Sequence, residues 1–300
     1  MTTEEISFRT KSFSPLRRDG VLVNAMSVDV EDYFQVQALS GVIHREDWER
    51  HPRRIERNTN LILELFARHH VKATFFTLAW VAERHPALVR RIVAEGHELA
   101  SHGTEHRRAD EQDVAAFRED IRRSKKVLED ISGAAVRGYR APTFSIGTRN
   151  LWAFDVLASE GYAYSSSVYP VRRDYYGMPH APRFAFFPLD GHALEEYPIT
   201  TLQVGERNFP GGGGGFFRLL PYVLSKAAIN RVNRKDQRPA IFYFHPWEVD
   251  PEQPRVRPLN LKSRFRHYIN LDKTAGRLER LLGDFCWDRM DRVFRPGIGA

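Results

Sequence analysis

The sequence predicts an α/β chain built on a parallel sheet that closes into a barrel. Three observations carry this reading. Short apolar runs alternate with amphipathic segments along most of the 300 residues, the pattern of strand–helix units around a parallel sheet. About six or seven such units fit within roughly 230 residues, which suits a closed barrel better than an open sheet. Four polar clusters, "SVDVED", "SHGTEH", "YRAPT" and "FHPWE", each follow an apolar run. In a parallel barrel those positions are the carboxyl ends of strands, where active sites form.

The elements follow in order. "VLVNAMSVDV" (21–30) is apolar enough for a buried strand. Over 53–69, Ile55, Ile62, Leu65 and Phe66 share a helical face. "KATFFTLA" (72–79) is β-rich, and "HPALVRRIVAEG" (85–96) is a helix opened by Pro86 and closed by Gly96. "HELASHG" (97–103) is a short strand. "DEQDVAAFREDIRRSKKVLEDISG" is a long helix, opened by acids and closed by Gly133. "VRGYRAP" (136–142) is a strand and "RNLWAFDVLASEG" a helix, with further strands expected at 162–168 and 194–204. A helix is expected over about 217–232, and "PAIFYFHPWEVD" (239–250) holds a buried strand. After Asp250 the Pro-rich "PEQPRVRP" reads as a loop. "LDKTAGRLERLLGDFCWDRM" then reads as a helix with Leu278, Leu281, Leu282 and Phe285 on one side, an extension packed on the barrel.

Composition narrows the function classes. Hydrophobic residues make up 42% of the chain and aromatics 12%, enough for a packed core. No apolar run approaches the roughly 20 residues of a membrane helix. Residues 1–20 are polar and lack the apolar centre of a secretory leader, so a loose tail on a cytoplasmic protein is expected. The lone Cys286 excludes an internal disulfide and a thiolate-rich metal site. Any metal must rest on histidine and carboxylate. The net charge of +7 is spread over "RHPRRIER", "RRSKK" and "NRKDQR", which are mixed with acids. Such runs are solvated faces rather than a nucleic-acid footprint. An anionic substrate or membrane surface is a better use of the charge.

His102 and His106 stand four apart in "SHGTEH", a spacing that on a helical turn aims both imidazoles one way. With 12 histidines in the chain the pair alone is weak. Its position after one strand, with an acid cluster after another, gives it weight. Asp29 and Glu31 face the same way along a strand; Asp32 points elsewhere unless the chain bends. Three acids beside a buried strand repel without a cation; a cap or turn acid is the ordinary alternative. Two histidines and a carboxylate with an open position form a known hydrolytic zinc arrangement. Arg140 can grip a carboxylate and keep it ionised, or simply form a salt bridge. His245, with Pro246 fixing the backbone behind it, suits a general acid or a capped core histidine. Tyr33, Phe34, Trp80, Tyr139 and Trp247 flank the expected mouth, where they can stack on a sugar ring or fill the barrel. "PGGGGGFFRLL" is either a linker or a place where backbone approaches closely.

Taken together, the four clusters resemble the polysaccharide deacetylase family (NodB-homology, carbohydrate esterase family four). The resemblance covers roughly residues 21–250, rests on "SVDVED", "HGTEH", "RAP" and "FHP" in the family's order, and is joined by "KATFFTLAW". "DVEDYFQV", "PGGGGGFFRLLP" and the C-terminal extension resemble the branch associated with exopolysaccharide and exosortase gene clusters. It implies a distorted (β/α)7 barrel over 21–250, with a C-terminal helical extension over 251–300. It implies metal-dependent removal of acetyl groups from N-acetylhexosamine units of a polysaccharide or lipid-linked precursor; the missing export signal favours a cytoplasmic precursor, with peripheral association at the inner membrane face. By position, Asp29 would be the base, Arg140 its orienting partner and His245 the acid. His102 and His106 would hold a divalent metal, zinc first, with an acid ligand that is Glu31, or Asp32 as the alternative. Strand alternation favours Glu31. Thr143 sits where the family usually has a tyrosine whose backbone N–H binds the oxyanion, and Trp247 would face substrate. Ser165 stands where the family usually has an aspartate behind the acid histidine, which puts the tuning of His245 in question. An allantoinase-like hydrolase of cyclic amides and a carbohydrate-binding protein with a dead site are the competing readings.

Overall fold

The computed structural model describes residues 8–172 and 176–295. Seven strands run parallel: β1 (Val21–Val30), β2 (Thr74–Thr77), β3 (Glu98–Ser101), β4 (Gly138–Tyr139), β5 (Tyr164–Ser165), β6 (Glu195–Glu196) and β7 (Ile241–Phe244). Their order across the sheet is β6-β5-β4-β3-β2-β1-β7. The connecting helices are α1 (Ile55–Arg68), α2 (Ala79–Arg84), α3 (Pro86–Ala94), α4 (Val114–Ser132) and α5 (Trp152–Ser159). The later ones are α6 (Gly215–Leu219), α7 (Tyr222–Arg231), α8 (Leu261–Tyr268), α9 (Leu271–Asp284) and α10 (Met290–Phe294). The curled parallel sheet with its many helices is the expected distorted (β/α) barrel. Among the described residues no helix is long and apolar enough to cross a membrane.

Strand β1 is the axis of the sheet. Every residue from Leu22 to Val30 is buried, as expected for a parallel strand covered on both faces. It pairs with β7 through Ala25–Val28 and with β2 through Ser27–Val30. Its carboxyl end therefore sits between the ends of two neighbours. The long helix α4 starts and stops where its signals stand. Asp113 accepts a hydrogen bond from Ala116 N at 2.8 Å, and Gly133 ends the helix at φ 69°.

The glycine run is not a linker. Tyr243 N donates to Gly212 O (2.8 Å) and Gly214 N donates to Tyr243 O (2.9 Å). The run thus lies along the free edge of β7. A Cβ on Gly212 would sit 2.6 Å from Ile241 O, and one on Gly213 would sit 2.2 Å from Tyr243 O. Backbone must touch backbone here, and only glycine permits it.

Four expectations need correction. The stretch expected as a loose tail is ordered from Phe8, while residues 1–7 lie outside the description. Arg9–Thr10 pairs with Phe186–Phe187 at the sheet edge, and Arg17–Arg18 forms a hairpin with Val21–Leu22. Its turn, Asp19-Gly20, has both residues at positive φ, the Asp-Gly signal of a tight hairpin. The helix expected over 217–232 breaks at Leu220–Pro221 into α6 and α7, because proline cannot continue a helix from the preceding turn. The strand expected over 194–204 splits into β6 and a strand at Thr201–Val204, which pairs with Arg207–Pro210 in a separate hairpin. The C-terminal helix ends at Asp284, with Phe285 already extended (φ −142°). Cys286–Asp288 then joins the sheet beside Val23–Ala25. Leu278, Leu281 and Leu282 do enter the core.

Two glycine substitutions separate close packing from ordinary flexibility. Gly213→Ala is expected to lower stability by at least about 2 kcal/mol in denaturant melts. Gly276→Ala, on α9 with nothing near its added carbon, is expected to be neutral or to stabilise by up to about 1 kcal/mol.

Candidate active site

The four polar clusters gather at the carboxyl ends of β1, β3, β4 and β7. Asp29 is the last residue but one of β1, and Glu31 is the first after it. His102 is the first residue after β3, Arg140 after β4, and His245 after β7. Glu31, His102 and His106 are all buried and offer ligand atoms within 4.8 Å of one another. The two imidazole centroids are 5.4 Å apart. His102 Nδ1 donates to Arg140 O at 2.8 Å, which leaves Nε2 as the free lone pair. A carbonyl behind a metal-ligating histidine commonly fixes its tautomer in this way. His106 lies just past Gly103 with φ 52°, so a tight, partly left-handed loop rather than a helix turns the second imidazole toward the first.

A divalent cation fits this trio. Glu31 Oε2 lies 2.7 Å from His106 Nε2, yet it is buried without a hydrogen bond. Buried polar atoms are normally satisfied, and an oxygen facing a ring nitrogen without a hydrogen between them suits two ligands of one ion. Burial alone would raise the Glu31 carboxyl, but His106 and then His245 draw it down to about 2. Burial lowers His102 to about 4, so it is neutral and able to donate electrons at neutral pH. The set of two imidazoles and one carboxylate accepts zinc and several other divalent ions.

Asp32, the alternative acid ligand, is turned away from this trio. Its carboxylate accepts from Tyr33 N (2.8 Å), Arg54 N (2.7 Å) and Ile55 N (3.0 Å). It caps the short turn Tyr33–Gln35 and the start of α1. One residue of strand alternation separates the two roles.

Asp29 is held from the side opposite the histidines. Arg140 Nη1 donates to Asp29 Oδ1 at 2.6 Å and to Ser27 Oγ at 2.9 Å. Arg140 Nη2 reaches Ser166 Oγ at 3.0 Å, and the guanidinium carbon lies 4.1 Å above the Phe76 ring. The other carboxylate oxygen, Asp29 Oδ2, stays 3.9 Å from His245 Nε2. Thr143 lies on the loop after β4 at φ 57°, ψ 25°, followed by Phe144 at φ 50°. Two consecutive side-chain-bearing residues in the left-handed region mark stored strain, which clusters at functional loops.

His245 has a partner that the sequence reading missed. Its Nδ1 lies 2.5 Å from Glu248 Oε1, and Arg218 Nε donates to Glu248 Oε2 at 2.8 Å. Arg218 is in turn held by the carbonyls of Arg266 (3.0 Å), His267 (2.9 Å) and Ile269 (3.1 Å). Ser165 plays no part in this; its hydroxyl bonds Ser167 Oγ. The available signal was the spacing in "HPWE": a short turn after Pro246 carries Glu248 back under the imidazole. Burial would lower the His245 pKa, but Glu31, Glu248 and Asp29 outweigh it and raise it to about 9. His245 therefore carries a proton at neutral pH, with Nε2 turned to Glu31 Oε1 at 3.4 Å.

The flanking aromatics Tyr33, Phe34, Trp80, Tyr139 and Trp247 are all buried in the core. Trp247 stacks on His245 and on His267 and lines a cleft of about 480 Å³ with Tyr176, Phe216 and Tyr243.

Residues 48–164 match the polysaccharide deacetylase family, and residues 166–295 match a domain of unknown function, DUF3473. Over the first of these regions the chain is similar to the polysaccharide deacetylase family. It is similar to a chitooligosaccharide deacetylase of Sinorhizobium fredii, 33% identical over 114 residues, which cover 36% of this chain and 48% of that one. It is also similar to a peptidoglycan-N-acetylglucosamine deacetylase of Bacillus cereus, 34% identical over 96 residues, covering 32% of this chain and 35% of that one. The chain thus spans half or less of these curated relatives. A crystal structure of a candidate polysaccharide deacetylase from Mycobacterium smegmatis shares the fold, with a TM-score of 0.61 at 17% identity over 95% of this chain and 93% of that one.

Two substitutions distinguish the neighbouring acids. Glu31→Gln is expected to weaken zinc binding by more than about 100-fold, read by calorimetric titration of metal-stripped protein. Asp32→Asn is expected to leave zinc affinity within about twofold and to lower stability by about 1–2 kcal/mol.

Proposed function

We propose that the protein is a metal-dependent N-deacetylase acting on N-acetylhexosamine units of a polysaccharide or of its lipid-linked precursor. The observation that carries this reading is the buried Glu31–His102–His106 trio, with His245 Nε2 3.4 Å from Glu31 and 3.9 Å from Asp29. A divalent cation on the trio, zinc first, would supply Lewis acidity to a water and to the acetamide carbonyl oxygen.

The chain's own groups account for the proton movements. Asp29, oriented by Arg140, takes a proton from the attacking water. The Thr143 backbone N–H, given this role by the family resemblance, would receive developing negative charge on the carbonyl oxygen. His245 gives its Nε2 proton to the departing amine, and Glu248 holds the imidazole by Nδ1 while that proton leaves. Acetate and a free amino sugar are the products. Glu248 also answers the doubt raised by Ser165, since a carboxylate does support the acid histidine, from three residues ahead of it in the chain. Trp247 and Tyr243 line the neighbouring cleft, where their exposed edges would contact a pyranose. The exopolysaccharide setting rests on the sequence resemblance alone.

The direct test is acetate release from N-acetylglucosamine oligomers, expected with zinc and abolished by chelator. Full activity after metal removal would overturn the proposal. Asp29→Asn is expected to cut turnover at least about 100-fold. Glu248→Gln is expected to cut kcat about tenfold or more with KM within about twofold. A Glu248→Gln enzyme that changed KM alone would show that the carboxylate serves binding and not the acid step.

A further inference from the structure

The surface around the outer end of the cleft has an unusual composition. The described chain exposes ten large hydrophobic residues, and five of them, Leu219, Val223, Leu224, Leu261 and Phe265, fall on α6, α7 and α8. Residues 211–235 and 254–271, which include these helices, contain ten lysines and arginines and no aspartate or glutamate. Arg218 is buried against Glu248 and Lys226 pairs with Asp284; the other eight, set beside a chain net charge of +7, place cationic surplus where apolar side chains face solvent.

Helix α8 has the form of an interfacial helix. Leu261 is 82% exposed and Phe265 56%, and their i, i+4 spacing puts them on one stripe. Lys262 and Arg266 form the next stripe round the helix, and Arg264 lies on the other flank. His267 points inward and is buried against Trp247. An apolar stripe bordered by cations, on a helix pinned from behind, is the arrangement that seats at a headgroup boundary. Leu219 of α6 and Phe265 of α8 line the same cleft as Trp247 and Tyr243. Trp247 stacks on His245, so one side chain lies between this surface and the candidate active site.

We propose that this face docks on an anionic lipid bilayer, with Leu261 and Phe265 in the headgroup region and Arg264 and Arg266 on lipid phosphates. The docking rests on exposure and charge alone. Its coupling to deacetylation rests on the function proposed above, and it selects the lipid-linked glycan over the finished polymer as substrate. A bilayer is favoured over a second copy of the chain because a twofold contact through this face would set cation against cation.

The test is co-sedimentation of the full chain with vesicles of phosphatidylcholine, alone or mixed about three to one with phosphatidylglycerol. Binding to the anionic vesicles is expected to be at least about tenfold tighter and to weaken with added salt. Leu261→Asp and Arg264→Glu are each expected to reduce it about tenfold, with circular dichroism and acetate release from soluble oligomers unchanged. Equal binding to both vesicle types, or no loss in Leu261→Asp, would overturn the proposal. So would a dimer in solution that Leu261→Asp converts to a monomer, since that assigns the face to a second copy. The vesicle assay needs no turnover, so a failure of the deacetylase reading would leave its outcome intact.

Discussion

Arg140 is the residue on which the mouth of the barrel depends. It is fully buried, and a buried guanidinium costs several kcal/mol unless its donors are used. Asp29, Ser27, and the backbone and hydroxyl of Ser166 use them. One side chain thereby ties the end of β1 to the loop after β5. Its backbone carbonyl does a second job by accepting from His102 Nδ1. The orientation of the candidate base and that of a candidate metal ligand are therefore set by the same residue. Further charges complete the balance: Glu31 stands against His106 and His245, and Glu248 against His245 and Arg218. Removing His245 would take a partner from Glu31 and from Glu248 at once.

Much of this was legible in the sequence because it depends on local order. Strand alternation along "SVDVED" correctly faced Glu31 toward the histidines and Asp32 away. The polar clusters follow apolar runs, and parallel strands bring such ends together. What stayed hidden depends on partners distant in the chain. Nothing local announces that Arg218 will meet Glu248, 30 residues on, or that Cys286–Asp288 will leave a helical pattern to join a strand more than 250 residues earlier. A three-residue strand is too short for its periodicity to be distinguished from a helix end. The glycine run was ambiguous for a related reason, since its role is defined by the edge of β7, which the run itself does not encode.

The two matched regions are not two bodies. The polysaccharide deacetylase match ends at residue 164, and the match to the domain of unknown function begins at 166. The sheet runs through that point without interruption, since β5 (Tyr164–Ser165) pairs with both β4 and β6. The site is divided the same way. His102, His106 and Arg140 lie in the first region, His245, Glu248 and Arg218 in the second, and Asp29 and Glu31 precede both. Neither region holds a complete set of charges.

The three carbonyls that grip Arg218 come from residues 266, 267 and 269, near the end of the chain. Until that segment is in place, Arg218 has no fixed position, Glu248 lacks its cation, and the imidazole above it is free to rotate. The surroundings of His245 therefore depend on a segment that lies outside every strand of the sheet, and its loss would uncouple Glu248 from Arg218 without touching Glu31, His102 or His106.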